Sequence, residues 1–149
     1  MGQAGHDTYT HKPIAAAGWR RMLFYLLQFT WGLSVNIVGL FVFLSCRKRF
    51  HSEPFCNSTI TCLRGDHGGL SLGIFIFISA HDIQRLRVHE YGHTIQCLFL
   101  GPLYWIVVMI PSAIWYHCFA GYRKKHSIPY DALYCEHWAT VWGKQWSGL

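Results

Sequence analysis

Charged side chains are scarce in this 149-residue sequence, at 13% of the total. An ordinary soluble domain carries roughly 25%, so the shortage indicates a large surface that does not face water. Hydrophobic residues make up 52% of the chain and aromatic residues 17%. These proportions predict a mainly α-helical integral membrane protein, and the length leaves room for a single membrane domain, residues 1–149.

The sequence also has no Cys-x-x-Cys pair, no internal repeat and no low-complexity segment. Its six cysteines are scattered, and Cys56 and Cys62 would form a disulfide only if their polar stretch faced an oxidising compartment. The formal net charge is +6. Basic residues stand at the ends of apolar runs, as in 47–49, which indicates contact with lipid headgroups and argues against nucleic-acid binding.

The hydrophobic runs divide the chain into segments. Residues 1–21 form a polar N-terminus, and residues 22–45 contain no charge. A bilayer core requires about 20 apolar residues in a helix, so we expect 22–45 to be a first membrane span. Residues 46–88 are predicted to be a loop that contains one short strand at 70–79, because that stretch is apolar and β-branched but too short to span.

A motif helix and a second, kinked span are predicted over residues 82–120. Asp82 is a suitable N-cap, and the Gly-Pro pair at 101–102 should kink the chain. Residues 121–149 form the C-terminal segment, with an amphipathic helix whose Trp138, Trp142 and Trp146 share one face. The expected fold therefore has two or three apolar helices, a short β element before the motif helix and an aromatic C-terminal helix.

The motif His89-Glu90-Tyr91-Gly92-His93 carries the chemistry. On a helix, His89 and His93 lie one turn apart on the same face, so both imidazoles can reach one cation. Two histidines and an adjacent carboxylate are the parts of a zinc peptidase site, with Glu90 as the general base. Arg87 is a departure, because zinc peptidases usually carry an uncharged residue at that position.

The third metal ligand has to come from elsewhere in the chain. We favour Glu136, because it lies in a helical and aromatic setting that could pack antiparallel to the motif helix. The alternatives are His137, Asp131 and His117. Gln96 shares the face of the two motif histidines and could orient one of them.

Several short motifs resemble a group of small bacterial integral membrane proteins. The matching elements are Gly68-Gly69-Leu70-Ser71-Leu72-Gly73, the motif helix from His89 to Gln96, Gly101-Pro102-Leu103-Tyr104, Pro111-Ser112 and Tyr134-Cys135-Glu136-His137-Trp138-Ala139. The resemblance covers about half of the chain. It implies a gluzincin-like membrane metallopeptidase with Glu136 as third ligand, more distantly similar to site-2-type intramembrane peptidases. It also implies a location in the bacterial inner membrane.

The expected function is zinc-dependent peptide hydrolysis at or near the membrane surface. One zinc per chain would be held by His89, His93 and Glu136, with Glu90 as the base. The expected partners are the lipid bilayer, a peptide or protein substrate and a membrane partner protein, without nucleic acid. The alternative is a non-enzymatic membrane protein or complex subunit with a structural zinc or histidine site, for which a fourth protein ligand is expected.

Overall fold

The computed structural model describes residues 13–65, 68–79 and 83–149, so the predicted N-cap Asp82 lies outside the described residues. The α-helices are α1 (Gly18–Thr30), α2 (Leu33–Cys46), α3 (Ile83–Leu100), α4 (Ile110–His117), α5 (Ala120–His126) and α6 (Tyr134–Ser147). The strands are β1 (His51–Phe55), β2 (Ser58–Cys62), β3 (Gly68–Leu72) and β4 (Phe75–Ser79). Short 3-10 helices occupy Gly101–Leu103 and Tyr130–Ala132, and a π-helix occupies Trp105–Met109.

The four strands form one mixed sheet in the order β1-β2-β4-β3. The β1–β2 and β3–β4 pairs are antiparallel, and β2 runs parallel to β4. The prediction of a single strand at 70–79 inside a loop is therefore wrong. Gly73 has a φ of +68°, which turns the chain back and divides that stretch into a hairpin. Cys56 and Cys62 are both free.

The first predicted span is also wrong, because α1 and α2 meet at an angle of 88°. The break lies at Trp31–Gly32, where the buried side chain of Asn36 adds hydrogen bonds to the backbone. Its Nδ2 donates to the backbone carbonyls of Gln28 and Gly32, at 2.9 and 3.0 Å, and to the Gln28 Oε1 at 2.8 Å. Local polar side chains thus stabilise a sharp bend inside an uncharged run.

A second bend of 119° separates Gln84–Leu103 from Trp105–His117. Gly101, with a φ of +54°, and the following proline set this bend. Pro111 has no N–H to donate to the Val107 carbonyl one turn earlier, and the Tyr134 hydroxyl donates to that carbonyl instead, at 2.5 Å. The π-helix lies at this interruption of the regular hydrogen-bond pattern.

These bends overturn the prediction of an integral membrane fold. Among the described residues, no single helix is both long and apolar enough to cross a membrane. Within the same described ranges, two bent helix pairs meet that requirement of length and composition.

Helix α3 lies at the centre of the fold. One of its sides packs on β3 and β4, with Val88, Tyr91 and Ile95 in the apolar core. Its other side packs closely on α6, where Gly92 lies against the backbone of Ala139. Arg87, the departure noted in the sequence, forms an ion pair with Glu53 of β1 and so ties α3 to the edge of the sheet.

Candidate metal centre

Three potential metal ligands converge where α3 crosses α6. The Glu136 Oε2 lies 3.0 Å from His89 Nε2 and 3.3 Å from His93 Nε2. The ligand atoms all lie within 4.8 Å of one another, so this group could hold a metal ion. The two imidazole rings are 4.9 Å apart and nearly perpendicular, and the Nε2 atoms of both face the same Glu136 oxygen.

A hydrogen bond from His93 to Gln96 fixes the tautomer of His93. Gln96 Nε2 donates to the Cys135 carbonyl at 2.7 Å, so its Oε1 is the atom that faces His93 Nδ1, also at 2.7 Å. Because Oε1 can only accept, Nδ1 carries the hydrogen. The neutral ring therefore has a lone pair on Nε2, the atom that faces Glu136. The sequence spacing had indicated this orienting role for Gln96.

Thr140 fixes His89 in the same way. Its hydroxyl donates to the Glu136 carbonyl at 3.2 Å and lies 2.9 Å from His89 Nδ1. Because the hydroxyl hydrogen is used, its oxygen accepts from Nδ1–H. The lone pair of the neutral His89 ring is again on Nε2.

Three electron-pair donors therefore face one another. With neutral rings, no hydrogen lies between either Nε2 and the Glu136 carboxylate, and such an arrangement is stable only with bound protons or a cation. The donor set of two imidazoles and one carboxylate suits a divalent transition metal. The surrounding hydrogen bonds also match the usual support of metal-binding histidines.

The electrostatics of the three side chains agree with this description. Burial alone would lower the pKa of His93, but its hydrogen bond to Glu136 and the charges of Glu90 and Glu136 raise it to about 9. Burial alone would raise the pKa of Glu136, but hydrogen bonds from His89 and His93 hold it well below its usual range. Without a cation, a proton on His93 thus offsets the negative charge of the Glu136 carboxylate.

Glu90 lies beside the cluster and is held by the sheet. The Ser71 hydroxyl lies 2.7 Å from the Glu90 backbone carbonyl and 2.8 Å from its Oε2. A side chain on Gly69 would overlap the Glu90 carboxylate, so β3 passes directly over this residue. The carboxylate is buried, and its charge contributes to the raised pKa of His93.

A cavity of about 600 Å³ opens onto the site. Glu90 and His89 both lie in its wall, as do Gly68 and Gly69 of β3. Among the ligands, His93 and Glu136 are buried more deeply than His89. A molecule in the cavity could therefore reach both the candidate metal position and the candidate base.

Sequence reasoning missed Tyr130, whose ring is 6.4 Å from that of His89. Its hydroxyl lies 3.3 Å from the Ser112 hydroxyl and hydrogen-bonds to Glu136. Burial raises the pKa of Tyr130, so this hydroxyl keeps its proton near neutral pH. Tyr130 also lines the cavity. The Pro129-Tyr130-Asp131 turn gives no local signal that would have indicated this position.

The structure does not bring the alternative third ligands into the cluster. His137 and His117 are exposed, and the latter stacks edge-on against Tyr116. Asp131 lines the cavity but is not among the converging ligand atoms. Of the four candidates, Glu136 is the residue that meets the two motif histidines.

Comparisons with protein families, with characterised proteins and with solved structures gave no match for this chain.

Proposed function

We propose that this chain is a zinc-dependent peptidase in which His89, His93 and Glu136 hold the metal and Glu90 is the general base. The observation that carries the proposal is the convergence of the three donors at the wall of a cavity that Glu90 also lines. Two histidines and a glutamate are a ligand set of catalytic zinc, which keeps further positions for water or substrate.

The chain's own residues supply the other parts of hydrolysis. Bound zinc would polarise the scissile carbonyl and make water a stronger nucleophile. Glu90 would take a proton from the attacking water and pass it to the leaving amine, which is the work of a general base and then a general acid. The protonated Tyr130 hydroxyl would turn from Glu136 and donate its hydrogen bond to the oxygen on which negative charge develops.

Strand β3 offers a binding edge for an extended peptide. Among the described strands, β3 pairs with β4 alone, so one of its edges has no strand partner. Gly68 and Gly69 bring β3 to the cavity without side chains that would fill it. A peptide that added to this edge would lie across the site, with main-chain hydrogen bonds supplying affinity.

The number and location of the ligands favour catalysis over the alternative of a structural metal. A structural zinc site is normally closed by four protein ligands, and the described residues contribute three to this cluster. His89 also remains accessible from the cavity.

The test is cleavage of a mixed peptide library by the purified, zinc-loaded chain, with new termini detected by mass spectrometry. The parent should cleave, and Glu90→Gln should retain zinc but lose at least about a hundredfold in rate, because the base is removed. Asp131→Asn is the matched control, since that carboxylate lines the same cavity away from the ligands. Equal rates for the parent and Glu90→Gln would rule out the proposed mechanism.

A further inference from the structure

The two bent helix pairs meet at their bends. The Trp31 indole N–H donates to the Phe99 carbonyl at 3.3 Å, and a side chain on Gly101 would overlap the Trp31 ring. A few residues further on, the Trp105 indole donates to Ser34 at 3.2 Å. The breaks at Trp31–Gly32 and at Gly101 therefore form a single structural apex.

The apex exposes large apolar side chains. The most exposed is Ile106, at 66%, and the full set is Phe29, Trp31, Leu33, Phe99, Leu103 and Ile106, hereafter the apolar apex. Apolar exposure continues along one side of α2 and along the chain from Ile106 through Ile110 to Ile114. Contiguous apolar surface of this kind marks a site of contact with a membrane or a protein.

The polar backbone at the first bend is satisfied from inside the protein. Asn36 Nδ2 donates to the carbonyls of Gln28 and Gly32 at the break, and its Oδ1 accepts from the Ile74 N–H at 2.9 Å. Gln28 is fully buried and donates to the Thr94 carbonyl of α3 at 3.0 Å. Internal pairing of a broken helix is what an apolar environment requires, because water cannot satisfy the backbone there.

Basic residues lie at the opposite ends of the helices from the apex. Arg20 and Arg21 are in the first turn of α1, and 47–49 follow α2. In the second pair, Arg85 and Arg87 are near the start of α3, and 123–125 are in α5, beyond α4. Between the two groups of the second pair the only charged residue is the buried Glu90. Apolar bends and basic helix ends match the hydrocarbon and the anionic headgroups of one leaflet.

We propose that the apolar apex docks into one leaflet of an anionic lipid bilayer, while its headgroups bind Arg20 and Arg21, residues 47–49, and Lys124 and Lys125. Arg87 is not part of this group, because it pairs with Glu53. This inference is independent of the proposed peptidase activity, because none of the apex residues belongs to the metal cluster or lines its cavity.

The test is flotation of the purified full chain with vesicles of phosphatidylcholine alone or mixed with phosphatidylglycerol. The parent should float with both and bind the anionic vesicles more strongly. In the triple variant Leu33, Leu103 and Ile106 are replaced by Glu, so these three side chains no longer enter hydrocarbon. The affinity for vesicles should fall by at least about tenfold for each of them. Replacing Arg47, Lys48 and Arg49 by Gln should reduce the preference for anionic vesicles by about fivefold per charge.

Leu70→Glu is the matched control, since Leu70 is an exposed apolar residue on β3, 41% exposed, and is outside the apolar apex. It should float like the parent, and circular dichroism should show all variants folded. Unchanged flotation of the triple Glu variant would overturn the proposal. A parent protein that does not bind vesicles would also overturn it. If that parent were a dimer and the triple Glu variant a monomer, the apolar apex would instead be the contact surface for a second copy of the chain.

Discussion

Gly92 of α3 lies so close to Ala139 of α6 that a methyl group on Gly92 would overlap the Ala139 carbonyl. Gly143, one turn further along α6, is equally close to the Val88 carbonyl of α3. This approach of two backbones places Glu136 within hydrogen-bonding distance of both motif histidines. The metal cluster therefore depends on small residues that have no role as ligands.

Gly92→Ala should displace α6 and lower the occupancy of the metal site. Overlap with a backbone carbonyl cannot be relieved by a side-chain rotation, so we expect destabilisation of at least about 1–3 kcal/mol, the usual range for overpacking. Thermal unfolding and elemental analysis measure the two effects. Gly121→Ala is the control, because a side chain at Gly121 meets nothing within 4 Å. A Gly92→Ala protein with the metal content and stability of the parent would contradict the packing argument.

Gln96→Leu should weaken metal binding without removing a ligand. The substitution takes away the acceptor that holds Nδ1–H of His93, and loss of such a partner typically costs about 10–100-fold in affinity. A competition titration with a chromophoric chelator gives the affinity. The exposed His137 offers a control, since His137→Ala should bind metal like the parent. An unchanged affinity in Gln96→Leu would show that this hydrogen bond does not support the site.

The apparent affinity for zinc should rise with pH. Metal-free His93 has a pKa of about 9, raised from 6.5, so below that pH zinc must displace its proton. We expect about a tenfold gain per pH unit for that one proton, levelling off near pH 9. Chelator competition at several pH values measures the slope, and affinity independent of pH between 6 and 8 would contradict this account of the site.

The same raised pKa predicts the opposite trend for the stability of the metal-free protein. A folded-state pKa above the unfolded value means that protonated His93 stabilises the fold most fully below about pH 6.5. That contribution is lost as the pH rises through about 9. Chemical unfolding in the presence of a chelator should therefore show falling stability over this interval, and His93→Gln should remove the trend.

Ser71→Ala should slow peptide cleavage and leave zinc binding intact. The Ser71 hydroxyl is hydrogen-bonded to the Glu90 carboxylate, whereas the described contacts of this hydroxyl include no ligand of the metal. We expect about a tenfold loss in rate from a less well placed base. The control is Ser45→Ala, at an exposed hydroxyl that bonds only its own helix. Loss of zinc in Ser71→Ala would place Ser71 in the metal site instead.

More of the candidate site than of the fold could be predicted from the sequence. His89, Glu90 and His93 are separated by fixed helical spacings, and Gln96 follows from the same helix. Glu136 was harder to predict as a ligand, since its position depends on how α6 crosses α3. Its aromatic and helical sequence setting nevertheless favoured it over the other candidates. Ser71, Thr140 and Tyr130 reach the site through tertiary contacts. Ser71 lies in a motif that the sequence resemblance singled out, but the motif did not indicate its contact with Glu90, and no local pattern marks Thr140 or Tyr130.

The fold predictions failed where single residues change the direction of the chain. An uncharged run such as 22–45 predicts a straight span. Mean hydropathy contains no information on side-chain hydrogen bonds, so it could not predict that Asn36 stabilises a break at Gly32. Strand β1 was hidden by its polar composition and by Pro54, which an edge strand tolerates. Strand β2 left a weak signal in the β-branched Thr59-Ile60-Thr61, which pairs in parallel with β4.

The most direct test of the central claim is the zinc content of the purified chain and of five variants, measured by elemental analysis. The parent should hold about one zinc per chain. His89→Ala, His93→Ala and Glu136→Ala should each lose it, whereas Glu90→Gln and His137→Ala should keep it. A parent without bound metal, or a Glu136→Ala variant that retains zinc at the parent's level, would contradict the assignment of the three ligands.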